Sequence, residues 1–155
     1  MKNYIQKVCP VILRQQSDSR QILAFRHPKA GTQLIKGTLE SGERPEVAVL
    51  RELAEESGIN QATVVKKIGE LAVPEAEQYW HIFLCQPAFD LPEEWSFFTT
   101  DGGGLLFQFF WHELAEDPDE SWHFHFRRAL DFIRSWQQRG NMTMQGDNDV
   151  NSGNQ

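Results

Sequence analysis

"GTLESGERPEVAVLRELAEESGI", residues 37–59, is the stretch that decides the fold. Pro45 suits the first turn of a helix, where its missing N–H costs nothing. Glu46 beside it suits the positive end of the helix dipole, and Gly58 suits a left-handed cap. The stretch therefore predicts a helix over residues 45–57. At about 100° per residue, Val47, Leu50 and Ala54 form its apolar face, with Val49 and Leu53 at the margin. Arg51, Glu52, Glu55 and Glu56 then lie opposite, and Ala48 within that arc leaves room for something to approach. Glu52 and Glu56 are a like-charge i,i+4 pair, which costs ~0.2–0.5 kcal/mol. Arg51 relieves Glu55 but not the whole cluster. The acids are either a solvated face or the seat of a divalent cation. Oxygen donors with no His or Cys in register suit Mg²⁺ or Mn²⁺ rather than Zn²⁺.

Working outward, "QKVCPVILRQ" is apolar and β-branched and reads as a strand. "SDSR" is a turn, and "QILAFR" its hairpin partner. "HPKAG" reads as a loop and "TQLIKG" as a short extended piece. After the helix, "ATVVKKIGELAV" is a strand with a bend at Gly69, and "EQYWHIFLCQP" is another. "FDLPEEWSFFTTDGGG" reads as a long loop, and "LLFQFFWHEL" as a central strand. A closing helix is expected from about Glu120 to Arg139, with Trp122, Phe126, Ala129, Ile133 and Trp136 as its packing stripe. Residues 140–155 are polar and aperiodic, which predicts a disordered tail after a domain spanning 1–139. Strands interleaved with two helices give an α/β order, with helices on both faces of a sheet.

The chain has 155 residues, 40% hydrophobic and 24% charged, which suits one globular domain. A net charge of -7 disfavours an extended nucleic-acid groove or an anionic membrane. An anionic substrate would need metal ions or a local basic patch. Cys9 and Cys85 have no metal-type spacing and read as core thiols. No apolar run reaches the ~18 residues of a membrane span, and the start lacks a signal-peptide core. A cytoplasmic protein, monomeric or homodimeric, is expected.

The box in detail reads Gly37, five residues, Glu43, seven residues, then Arg51-Glu52-Leu53-x-Glu55-Glu56-x-Gly58-Ile59. It resembles the signature of the Nudix hydrolases, the MutT-like nucleotide pyrophosphohydrolases, at every specified position. The resemblance implies an α/β/α sandwich with a mixed sheet and a loop-helix-loop catalytic box. It also implies Mg²⁺-dependent hydrolysis, with Mn²⁺ as substitute, of a nucleoside diphosphate linked to another moiety. By the same resemblance, Glu52, Glu55, Glu56 and the Gly37 carbonyl are the metal set, and Glu43 with Arg51 braces loop against helix. Family members differ in the residue that acts as base, and Glu52 is the choice here. The substrate candidates are ADP-ribose, sugar nucleotides, nucleoside or deoxynucleoside triphosphates and dinucleoside polyphosphates. Pro74 follows the box at about the distance seen in ADP-ribose pyrophosphatases. The competing reading is a nucleotide-binding regulatory module that kept the fold and lost turnover.

Outside the box, Arg26, His27, Lys29 and Lys36 are candidates to meet phosphates. Tyr79, Trp80 and Trp95 are candidates to stack a base. Any of Glu75, Glu77, Glu93, Glu94 and Asp101 is a candidate extra ligand. His123 and His125, two apart in a helix, would not share a face and read as boundary residues.

Overall fold

The computed structural model describes residues 3–100 and 103–152, with side chains as far as residue 140. Its strands are β1 (Ile5–Val11), β2 (Leu13–Gln16), β3 (Ser19–His27), β4 (Gly31–Gln33) and β5 (Gly37–Thr38) ahead of helix α1 (Pro45–Ser57). Then come β6 (Ala62–Val73), a 3₁₀ turn (Pro74–Ala76), β7 (Gln78–Pro87), β8 (Trp95–Thr99), β9 (Leu105–Glu113) and helix α2 (Phe124–Ser152). One sheet has the order β5-β1-β7-β6, and its β1–β7 pair is parallel while the other pairs are antiparallel. The other sheet, β2-β3-β9-β8 with β4 also on β3, is antiparallel throughout.

The apolar run near the N-terminus is not one strand but two. It divides at Ile12, sending β1 into the first sheet and β2 into the second, and the Leu23 N–H donates to the Ile12 carbonyl across the join. The sheets therefore lie side by side as one layer. Alternation along the strands gives that layer two apolar faces. Val8, Leu23, Phe25, Phe83, Phe107 and Phe109 pack against α1. Cys9, Val11, Ile22, Ala24, Trp80 and Ile82 pack against α2, which contributes Phe126, Ala129, Leu130 and Ile133. The result is the expected α/β/α sandwich with a mixed sheet. Cys9 and Cys85 are both buried in these cores, and burial pushes both thiols up to about 12.

Three further expectations need correction. The loop expected over residues 89–104 contains β8, which pairs with β9 along its whole length. Its five residues, WSFFT, alternate and are rich in β-formers, but the flanking Pro and Gly residues obscure them; Asp101 and Gly102 lie outside the described residues. The closing helix starts at Phe124, not Glu120. Asp119 accepts the Ser121 backbone N–H (2.8 Å), and Ser121 and His123 exchange backbone bonds with Thr32, so this segment is spent on a turn and a bridge to β4. At its other end α2 continues as far as Ser152. The other helix correction is rotational. On α1 the buried residues are Ala48, Val49, Glu52, Leu53 and Ser57, while Val47 is 53% exposed. The acids are therefore not opposite the apolar face. Glu52, 6% exposed, sits within it.

Gly58 ends α1 in the left-handed region (φ 82°), and a Cβ there would stand 2.8 Å from the Phe97 ring. Gly58→Ala is expected to cost about 1–2 kcal/mol from backbone strain alone, read as a lower urea midpoint with an unchanged denaturant slope.

Candidate active site

The box begins on β5. Gly37 pairs with Val8 of β1, so its backbone is fixed at the edge of the first sheet. A Cβ on Gly37 would lie 1.8 Å from Glu52 Cδ and 2.1 Å from Glu52 Oε2. The Glu52 carboxylate thus rests directly on the Gly37 backbone, and any side chain at residue 37 would evict it.

Arg51 organises everything around this contact. Its Nε and Nη2 donate to the two Glu43 carboxylate oxygens, each at 2.8 Å, in a bidentate fork. Nη1 donates to Glu52 Oε1 (2.8 Å) and Glu55 Oε2 (3.2 Å), and Nη2 also reaches the Thr38 carbonyl (3.2 Å). The loop carrying Glu43 is thereby clamped to α1. Hydrogen bonding to Glu43 raises the Arg51 pKa further, and the same bonds hold the Glu43 carboxyl below its usual range. Arg51 was expected to relieve Glu55 alone; it serves Glu43, Glu52 and Glu55 together.

Glu56 is half-buried, one turn beyond Glu52 on the inward side of α1. Its charge acts on Lys36 and Cys9, which belong to the α2 side of the layer. Lys36 Nζ donates to Gln78 Oε1 (3.0 Å) and sits 4.6 Å from the centre of the Trp80 ring. Burial, with Lys7 nearby, brings its pKa down to about 8.

The other candidates scatter. Trp80 is fully buried beneath Lys36 and Phe126, so it has no ring face left to stack a base; it underlies Lys36 instead. Tyr79, one residue away on β7, points to the opposite face, where its hydroxyl donates to Glu70 (2.6 Å). Arg26 stacks on Phe110 at 4.1 Å, and none of its described contacts joins it to α1. His27 accepts two backbone N–H groups of its own loop through Nδ1. Trp95 stacks on Phe109 and donates to the Ser57 carbonyl, so it braces the end of α1. Glu75 pairs with Arg128 and Glu93 with Arg14, while Asp101 lies outside the described residues.

Sequence reasoning missed Lys7 and the histidines. Lys7 Nζ donates to Thr38 Oγ1 (2.6 Å) and lies close enough to Lys36 to depress it. His123 and His125 do come together, with ring centres 4.9 Å apart, because His123 precedes the helix and does not follow its periodicity. The signal was the local Asp119–Ser121 turn chemistry, which marks where the helix cannot yet have started.

Cavities of about 360 Å³ and 470 Å³ flank the loop carrying Phe89 and Leu91, beyond the C-terminal end of α1. They hold none of the box carboxylates.

A family model described as the NUDIX domain matches residues 6–130. The chain belongs to the Nudix family. That membership makes it a pyrophosphohydrolase, in a family that generally uses divalent cations and small nucleotide-derived substrates. Among solved structures, the fold is similar to a NUDIX hydrolase from Nitrosomonas europaea, at 17% identity and TM-score 0.65, over 91% of this chain and 74% of that one. It is also similar to an ADP-ribose pyrophosphatase from Streptococcus suis, at 14% identity and TM-score 0.60, over 84% and 90% of the two chains. At such identities the likeness is one of fold. No curated protein matches this sequence. Among the described residues, no helix is long and apolar enough to cross a membrane.

Removing the guanidinium takes a charged donor from a nearly buried carboxylate at Glu52. Arg51→Met is expected to destabilise the fold by about 1–3 kcal/mol, read by urea unfolding at neutral pH. Because Arg51 holds the Glu43 carboxyl low, its contribution is present above the ordinary carboxylate range and is lost as pH falls through and below it. The wild-type protein should therefore lose more stability on acidification than Arg51→Met.

Proposed function

We propose that this protein hydrolyses the pyrophosphate bond of a nucleoside diphosphate linked to another moiety, with Mg²⁺ as its cation and Mn²⁺ as substitute. The observation that carries the proposal is the Glu52 carboxylate, 6% exposed and resting on Gly37, on a helix that adds Glu55 and Glu56 within the next turn. Burying a carboxylate is costly unless something positive meets it. Arg51 meets it on one side. The remaining donors are oxygens from three carboxylates and the Gly37 main-chain carbonyl, a set suited to a hard divalent cation.

Among the described residues no three acidic, His or Cys side chains already converge as a bound ion would require. Arg51 Nη1 holds Glu52 and Glu55. A cation would compete with that nitrogen for the same oxygens. The donor chemistry fits, and we assign Gly37, Glu52, Glu55 and Glu56 to the metal. When bound, such an ion screens the pyrophosphate charge and makes a coordinated water acidic.

The chain's own residues supply the rest. Glu52 is assigned to take the proton of the attacking water, since Arg51 and Gly37 fix it in place. Glu43 acts through Arg51 and positions the helix against the loop without touching the substrate. Lys36, anchored by Gln78, is assigned to a substrate phosphate. The working unit is residues 1–139, in the cytoplasm. The fold shared with the Streptococcus suis ADP-ribose pyrophosphatase makes ADP-ribose one compound to test. Sugar nucleotides and nucleoside triphosphates are the others.

Glu56→Gln should lower turnover by at least 100-fold in a phosphate-release screen with Mg²⁺, with the melting curve retained. Near-normal rates would sink the metal assignment. Millimolar Mg²⁺ or Mn²⁺ should raise the melting temperature of the wild-type protein, and EDTA should abolish the rise. A shift of the same size in Glu56→Gln would argue that the ion sits elsewhere.

A further inference from the structure

On the α2 side of the layer, the reaction outlined above leaves one cluster largely unused. Lys36 stands 4.6 Å from the Trp80 ring centre and 5.4 Å from that of Phe126. The ring of His123 lies 5.9 Å from that of Phe126 and 4.9 Å from that of His125. Lys36 bears electrostatically on both histidines, and Lys7 bears on Lys36. Two ammonium groups and two imidazoles thus gather beside the box in a chain whose net charge is -7.

The acids nearby are accounted for. Glu75 pairs with Arg128, and Glu56 is a box residue acting on Lys36. His125 Nε2 is buried and has no hydrogen-bond partner among the described residues. His123 Nδ1 accepts the His125 backbone N–H (3.3 Å), so in the neutral ring the proton sits on Nε2, which is left to donate. A cation is a poor match for this company, with only two ring nitrogens beside two lysines. An oxyanion matches it, because both ammonium groups and His123 Nε2 are donors, and the unpartnered His125 Nε2 donates in one of its two tautomers.

We propose that Lys7, Lys36, His123 and His125 form a phosphate subsite facing the box, which receives the terminal phosphate of a nucleoside triphosphate. This rests on the reading of the box as a pyrophosphate-cleaving centre. Each phosphate of a diphosphate diester such as ADP-ribose carries a single charge. The terminal phosphate of a nucleoside triphosphate carries about two at neutral pH, and its three outer oxygens accept from several donors at once. A second ribose would offer hydroxyls and no charge, leaving the lysines uncompensated.

The test uses the full-length protein. Inorganic tripolyphosphate and trimetaphosphate, the ring form with no terminal phosphate, are titrated calorimetrically in EDTA, so that no metal contributes. Wild type should bind tripolyphosphate at least fivefold more tightly than trimetaphosphate, and His123→Gln/His125→Gln should lose that preference with its melting curve retained. With Mg²⁺, the ratio of kcat/KM for a nucleoside triphosphate to that for ADP-ribose should fall at least tenfold in the double variant. A merely structural role would lower both rates and leave the ratio unmoved, which would overturn the proposal. So would a wild-type protein that does not discriminate the two anions. If the tripolyphosphate preference holds but no nucleotide is cleaved, the subsite stands and the hydrolase reading of the box falls.

Discussion

The contact between the Glu52 carboxylate and the bare backbone of Gly37 is the constraint from which the site is built. A carboxylate turned into the sandwich must be met by donors, and a strand can approach it so closely only without a Cβ. Arg51 supplies the donors and reaches back to Glu43, so loop, strand and helix become one rigid piece. The apolar packing of Ala48, Val49 and Leu53 then sets the depth at which the carboxylates lie. Fold and chemistry are coupled through this one arginine. The box carboxylates Glu52 and Glu55 are held by the same arginine that holds the loop.

Much of the architecture was legible beforehand. Pro45 and Gly58 mark the ends of α1 as they stand, because caps depend on local backbone chemistry alone. The box residues were legible for the same reason that they are close in sequence. What was not legible was rotation. The apolar face was placed on Val47, Leu50 and Ala54, whereas the buried residues centre on Ala48, Val49, Glu52 and Leu53. Periodicity reports hydrophobicity, and a carboxylate in the buried stripe shifts the apparent centre of that stripe away from the true one.

The remaining misses share a cause. β8 was lost in a loop, His123 was placed inside a helix, and Trp80 was offered as a stacking surface although it is fully buried. Each depends on a partner distant in sequence: β9 for β8, Thr32 for the turn before α2, and Phe126 for Trp80. Lys7 could not have been singled out either. It acquires meaning only once β5 lies beside β1 and brings Thr38 to its ammonium group.

The two cysteines have a practical consequence. Both thiols lie in the core and are held near 12, so at neutral pH the folded chain offers almost no thiolate to an alkylating reagent. Modification must wait for the sandwich to open. Because Cys9 belongs to the layer beneath α2 and Cys85 to the layer beneath α1, their separate labelling rates would time the opening of each half. The native sequence thus carries its own pair of clocks for local unfolding, with no engineered probe required.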